Sequence, residues 1–299
     1  MTFRTLAALA AAFALAACGG GGGGASNGGP NNPGAALDQV RTLTGAAPPA
    51  ETAGDQDARA PGIVSRADSL LVSTIRGETD SRDLPTFALR ASCSGTSCTV
   101  TEPTTGYSDT IRLSDLEFVP GDDQPVGTKR GVTLIRSTGR HDGTDFRTLG
   151  AWLEHSGFAV QTERFTFDGV RVDARYGMAG GDLTGSRPLG SATWQGLMVG
   201  TPTTGADRGD RLQGDATLTY DIGSASLDAA FTGIQNIDRL RAHAVSAVRF
   251  TGVPVDSGGR FRAGGTGNRI QGGFYGSSHA EATGVFEQQN IVGAFGTRQ

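Results

Sequence analysis

At 299 residues the chain is long enough for two modest domains, or for one domain with extensions. Its 47 glycines, 7% aromatic and 37% hydrophobic residues suit short strands joined by many turns and argue against a large helical core. A formal charge of −4 gives no basic footprint for nucleic acid, and Lys129 is the only lysine among 26 basic residues, which we read as codon bias.

Residues 1–17 read as a secretory signal, with Arg4 followed by an apolar run from Leu6 to Ala17. The run ends in Leu15-Ala16-Ala17-Cys18, which resembles the bacterial lipobox, whose cysteine becomes acylated and forms the new N-terminus. An ordinary signal followed by a chance cysteine is the plainer alternative. By the resemblance, Cys18 is the lipidation site and ties the protein to a membrane, several acyl chains holding far better than one. Gly19, where no aspartate stands, is similar to the pattern that permits transfer to the outer membrane. No later apolar span is long enough for a transmembrane helix. Residues 18–62 are expected to form the anchor and a flexible tether rich in glycine and proline, with one helix candidate over Ala35 to Thr44 and nothing that can bury a core.

Residues 63–190 are expected to form a β-rich domain. Arg66 to Ile75 fits a short helix or a strand, and periodicity does not decide between them. Strand-like runs follow over Thr86–Ser92, Cys98–Glu102, Asp109–Phe118, Gly131–Ser137 and Phe158–Phe167, separated by Gly, Pro and Asp clusters at 103–106, 120–127 and 139–145. Cys93-Ser-Gly-Thr-Ser-Cys98 is a tight turn with a cysteine on each flank, and in an exported protein the two are expected to form a disulfide. So short a loop removes little unfolded-state entropy, so the bond pins the turn rather than the fold. A redox or metal role competes, although four residues intervene and no histidine is close in sequence. Trp152 and His155 share an aromatic cluster in which the histidine is either a satisfied structural group or a ligand contact. Gly180-Gly181 to Gly190 reads as the boundary between the halves.

From residue 191 strand signals arrive at regular spacing. Ala192 to Met198 puts Ala, Trp194, Gly and Met on one face. Gln213 to Asp221 alternates, with Asp215, Thr217, Thr219 and Asp221 outward and Ala216, Leu218 and Tyr220 inward. Ser226 to Gly233 groups Leu227, Ala229 and Phe231, and runs over His243–Gly252 and Gly259–Ala263 follow. Ile270-Gln-Gly-Gly-Phe274, Ala282-Thr-Gly-Val-Phe286 and Ile291-Val-Gly-Ala-Phe295 then repeat one pattern, an aliphatic residue, a glycine and a phenylalanine at every second position. Tiny beside large is what the narrow interior of a small closed barrel requires. The expected fold is therefore all-β: a β-rich domain over 63–190, then a soluble eight-stranded antiparallel β-barrel over 191–299, with Trp194, Phe231, Phe274, Phe286 and Phe295 in its core. A membrane barrel would need an apolar outer band, whereas outward positions here carry aspartate, threonine and glutamate at mid-strand. A filled interior also leaves little room for a carried ligand.

Trp194-x-Gly196, Gly273-Phe-Tyr-Gly276, Glu281, Gly284-Val-Phe286 and Gly293-Ala-Phe-Gly296-Thr-Arg298 resemble the transferrin-binding-protein-like surface lipoproteins, a group that includes the factor-H-binding and heparin-binding antigens and haemophore-like proteins. The resemblance covers about the last 110 residues, and the lipobox and glycine tether agree with it. The chain departs from the family in carrying Ser277-Ser278-His279 where proline and small residues follow the Phe-Tyr-Gly element. What the resemblance implies is a β-rich handle before the barrel and binding of host proteins or haem carriers through loops and handle, with a ligand that differs between members.

Signs of chemistry are few. The histidines at 141, 155, 243 and 279 have no metal-ligand spacing, no P-loop is present, and Gly264 to Asn268 is a hairpin turn rather than a dinucleotide fingerprint, so no cofactor is expected. Ser277-Ser278-His279 with Glu281 holds the residue types of a hydrolase, but neighbours in sequence point apart. Gly121-Asp122-Asp123-Gln124 lacks calcium-loop spacing and reads as a solvated turn. The leading expectation is a lipid-anchored outer-membrane protein, surface-displayed, that binds a protein or haem-bearing partner and is not an enzyme. A passenger role competes, in which the barrel serves folding and an export translocon. An enzyme is the third reading and requires His155 or His279 to matter.

Overall fold

Residues 33–101, 108–116, 123–141 and 143–299 are described by the structure, a computed structural model. The signal and Cys18 lie outside these residues, as do 103–106 and Gly121-Asp122. The first half contains β1 (Ser69–Val72), β2 (Ile75–Thr79), β3 (Thr86–Leu89), β4 (Ala91–Ser94), β5 (Ser97–Thr101), β6 (Ser108–Arg112), β7 (Gln124–Lys129), β8 (Val132–His141), β9 (Thr144–Trp152), β10 (Ser156–Phe167) and β11 (Val170–Gly181). An antiparallel sheet runs β3-β2-β11-β10-β9-β8-β7, with β1 also on β11, and β4-β5-β6 form a separate small sheet. The undecided stretch before Ile75 is therefore strand. Four strands escape the sequence reading: β2 past its first residue, β7 in a Gly/Pro/Asp separator, β9 in the aromatic cluster, and β11, which is rich in Gly, Ala and Arg.

Strand alternation gives the large sheet two apolar faces. On β10, Phe158 and Val160 join Leu149 and Ala151 of β9 on one face. The intervening Ala159 points the other way, towards Tyr176, Met178, Ile63 and the small sheet's Cys98, Val100 and Ile111. Cys93 and Cys98 face each other across β4–β5 and are disulfide-bonded.

Two helices occupy part of the stretch expected to be tether: α1 (Pro33–Thr44) and α2 (Ala53–Arg66). That stretch does bury a core, against expectation. Val40 packs with Val126 and Val132, and Ile63 is fully buried beneath the large sheet's outer face. Helices this short are marginal alone and depend on such packing. Thr52 and Asp55 close a capping box on α2, and the buried Gln56 bonds both the Thr133 carbonyl and the Trp152 N–H, each at 2.8 Å. The candidate over Ala35 to Thr44 is α1, whereas low hydrophobic content concealed α2, which relies on few apolar contacts.

The second half comprises β12 (Ala192–Pro202), β13 (Leu212–Asp221), β14 (Ser226–Asn236), β15 (Arg241–Ala242), β16 (Ala247–Pro254), β17 (Arg260–Gly265), β18 (Asn268–Tyr275), β19 (Glu281–Gln288) and β20 (Ile291–Arg298). Leaving aside the two-residue β15, eight strands form an antiparallel barrel. The ladder runs β16-β14-β13-β12-β20-β19-β18-β17, so β12 pairs with β20. It does not close: between β16 and β17 there is one bridge, Val255 to Phe261, at their shared turn. The interior follows from cross-strand partners of unequal size. Phe261 is paired with Gly272, Phe286 with Gly293 and Phe295 with Gly284, and each ring occupies the space that a side chain on its partner would need. Burying each ring contributes roughly 2 kcal/mol.

The expectation of a barrel wet all round its outside fails on one side. Outward residues Leu197 and Val199 of β12, Val285 of β19 and Ala294 of β20 pack against Phe158, Val160 and Leu149 of the large sheet. Here the two halves share a face, and that is why β19 and β20 are buried at all but their last residues. Away from this contact Thr219, Asp221, Arg249 and Arg262 are exposed.

Candidate functional site

Trp194, Phe231, Phe274, Phe286 and Phe295 lie in one cluster inside the barrel, each at most 1% exposed. Ring centroids are 4.8 Å apart for Trp194–Phe274, 4.6 Å for Phe231–Phe286 and 5.1 Å for Phe231–Phe295, so aromatic contacts fill the cylinder. Trp194 donates its indole N–H to the His279 carbonyl at 2.7 Å.

The hydrolase residue types do not converge. His279 Nε2 lies 3.3 Å from Ser186 Oγ and 2.9 Å from the Ser186 carbonyl. Glu281 turns to the other half of the protein. Its carboxylate accepts the Glu154 N–H at 2.7 Å, the His155 N–H at 3.2 Å and the Ser156 hydroxyl at 2.7 Å. Burial pushes the Glu281 carboxyl up, and these donors with Arg298 pull against that. Glu281 thus fastens the β9–β10 turn to the barrel. His155 contributes its backbone to this contact, and its ring rests against Gly276. Trp152 is 1% exposed in the core beneath α2, out of reach of a ligand.

Charged side chains concentrate in two places. At the first, loops 203–211 and 236–243 meet the large sheet, and acids and bases neutralise one another. Arg211 and Arg147 bond Asp238 at 2.7 and 2.6 Å, Arg175 and Arg208 bond Glu78 at 2.8 and 2.6 Å, and Arg239 and Arg241 bond Asp210 and Asp207. Burial works against the Asp238 charge, and Arg211 and Arg147 more than offset it, holding the carboxyl below the usual range.

The second is different. Strand alternation on β16, β17 and β18 turns Arg249, Arg260, Arg262 and Arg269 outward. Arg249, Arg260 and Arg262 are exposed, and among the described residues none of their guanidinium groups pairs with a carboxylate, although the Asp256 carboxylate accepts the Arg260 backbone N–H at 2.9 Å. Arg76 and Arg90 of the first half lie alongside, Arg76 on the buried Glu287 and Arg90 on Thr266. Burial lowers the pKa of Arg269, Glu287 raises it, and the guanidinium groups of Arg90 and Arg76 lower it again. This strip borders the gap in the barrel ladder, and a chain with a net charge of −4 keeps a basic surface there that Glu287 offsets only in part. Its signal in the sequence was the spacing of arginines at every second position, Arg260 to Arg262, read earlier only as strand.

No family model matches the chain, and no curated protein does. Among solved structures it is similar to a double mutant of transferrin binding protein B from Haemophilus parasuis, at 15% identity and a TM-score of 0.36, over 77% of this chain and 45% of that one. It is also similar to isotype 1 transferrin binding protein B of serogroup B Neisseria meningitidis, at 12% identity and a TM-score of 0.37, over 76% of this chain and 43% of that one. The N-lobe domain of lactoferrin binding protein B of Moraxella bovis is matched at 13% identity and a TM-score of 0.35, over 77% of this chain and 98% of that domain. The chain spans less than half the length of the two transferrin binding proteins. Likeness at this level transfers neither a partner nor a site.

Proposed function

We propose that this chain is a lipid-anchored outer-membrane protein, displayed at the cell surface, that binds a protein partner and catalyses nothing. An iron carrier or haem-bearing protein is the class of partner to test first. The observation that carries the reading is the filled barrel, whose rings leave binding to the exterior, where Arg249, Arg260 and Arg262 stand without a side-chain ion pair among the described residues. The Leu15-Ala16-Ala17-Cys18 motif supports the anchor, with Cys18 as the acylated residue. Its hydrolase residue types are committed elsewhere, His279 to Ser186 and Glu281 to the β9–β10 turn.

A passenger role, with the barrel read by an export translocon, draws support from a separate observation: β12, β19 and β20 seat the large sheet. Removing residues 191–299 would strip that sheet of its support, so point variants are the cleaner test.

Full-length protein in cells should incorporate radiolabelled palmitate, and Cys18→Ala should not. Protease added to intact cells should cleave it. In detergent it should retain transferrin, lactoferrin or haemoglobin from host fluid on an affinity column. Retention of nothing from such fluids would overturn the binding role, and protection from external protease would overturn surface display.

A further inference from the structure

We propose that the gap between β16 and β17 takes up an extended, acidic segment of a partner protein as an added strand. The inference rests on the binding role proposed above and names the kind of partner and where it docks.

The first observation is backbone left without a strand. In an antiparallel ladder successive residues turn their N–H and C=O groups to opposite sides. The Arg249 N–H and C=O do not meet β17. They are bonded instead by the Gln288 side-chain amide, Oε1 accepting at 3.3 Å and Nε2 donating at 3.1 Å. Two residues earlier, the Ala247 carbonyl accepts from Gln289 Nε2 at 3.2 Å. Ala247 and Arg249 are therefore gap-facing residues of β16, before the register shift at residues 251–252, and two glutamine side chains reproduce what a neighbouring peptide group offers. On β17, Arg260 is held by the Asp256 N–H at the turn, and alternation turns Arg262 and Gly264 towards the gap, beyond the single bridge. A side-chain amide on a flexible stem is easily displaced by a strand that bonds several residues in register. Two gap-facing residues on β16 correspond to a segment of roughly three to five residues.

The second observation is charge. Arg249, Arg260 and Arg262 flank this edge, exposed and with no ion pair to their guanidinium groups among the described residues, the Asp256 carboxylate being taken up by the Arg260 backbone N–H. Side chains of an added strand would alternate past them, and acids at every second position would meet them. The chain's own residues 19–32 do not fit as the occupant, since they include no acid. A membrane surface would match the arginines but leave the strand edge unused.

The test is fluorescence anisotropy on the full chain in detergent, with a fluorescein-labelled Glu-Val-Glu-Val-Glu-Val-Glu peptide amide as probe, joined to hydrogen exchange. The peptide should bind saturably and slow exchange at 247–251. Arg249→Gln, Arg260→Gln and Arg262→Gln combined should weaken binding about tenfold at low salt. N-methylation of the peptide at alternate residues, in at least one of the two registers, should abolish binding, and Gln288→Ala should tighten it by freeing Arg249. Failure of the acidic peptide to bind overturns the proposal, as does equal binding of both N-methylated peptides or of phosphatidylglycerol vesicles, which would mean charge alone. Protection of 247–251 by a second copy of the chain, seen as concentration-dependent dimerisation without peptide, also overturns it. Each of these leaves the affinity-column result untouched, so loss of this inference is distinguishable from loss of the binding role.

Discussion

Gly177 of β11 lies directly on Gly293 of β20: a Cβ placed on Gly177 would come within 2.2 Å of the Gly293 carbonyl oxygen. The large sheet and the barrel thus approach backbone to backbone, with no side chain between them at this point. Gly177→Ala should force the layers apart and lower stability by about 1–3 kcal/mol, as overpacking does. Gly265→Ala, where an added methyl meets nothing within 4 Å, is the control and should be near neutral. Urea unfolding of both variants checks this, with Gly177→Ala showing the lower midpoint.

Phe286 touches Phe231 inside the barrel and covers Gly293. Phe286→Ala should cost about 3–5 kcal/mol, because the glycines around it cannot close the space. Thermal melts followed by near-ultraviolet circular dichroism should show both the loss of stability and the loss of ordered aromatic signal.

Glu163 is fully buried beneath the small sheet, where it accepts the Tyr176 hydroxyl at 2.6 Å and Gln161 Nε2 at 2.8 Å. Burial pushes its carboxyl up to about 7, the two hydrogen bonds hold it down somewhat, and Asp109 and Asp115 raise it. A folded-state pKa above the unfolded value means that the folded state binds the proton more tightly. The associated stability is complete below about pH 4.5 and is lost as pH rises through about 7. Glu163→Gln should flatten that part of the pH profile and raise stability at pH 8 by on the order of 3 kcal/mol. Denaturant titrations at several pH values between 4.5 and 8 measure it.

Arg211 is 4% exposed and its charge is held by Asp238. Asp238→Ala should cost about 3–5 kcal/mol by leaving a buried guanidinium without its anion. Replacing both residues, Asp238→Ala with Arg211→Met, should recover much of the loss, which a double-mutant cycle from unfolding midpoints would record.

The barrel was legible because its signal is local. Phenylalanine and glycine at every second position over the last strands fixed which face is inside, and the cross-strand pairing of Phe286 with Gly293 is the three-dimensional form of that pattern. What alternation cannot tell is whether the opposite face meets water or another layer. Val285 and Ala294 look like incidental apolar residues until the large sheet lies on them. Strand β11 is hidden for a related reason: Gly177 and Gly180 are small because other backbones approach them closely, so the residues that mark packing are those with little strand propensity. Helix α2, with Pro61 inside it and Ile63 as its anchor, was taken for tether because composition averages over the single contact that holds it. The gap beside β16 was invisible for another reason, since Gln288 and Gln289 are ordinary turn-flanking residues until their amides are found on the Arg249 and Ala247 backbone.

The pairing of β12 with β20 sets an order of events during synthesis. A polypeptide threaded N-terminus first exposes one edge of residues 192–202 until residues 291–298 arrive, some ninety positions later, and the seat for the large sheet is missing for the same interval. Contacts this distant in sequence delay folding. Such a delay keeps the polypeptide loose until its last strand is made, and the barrel sets only then.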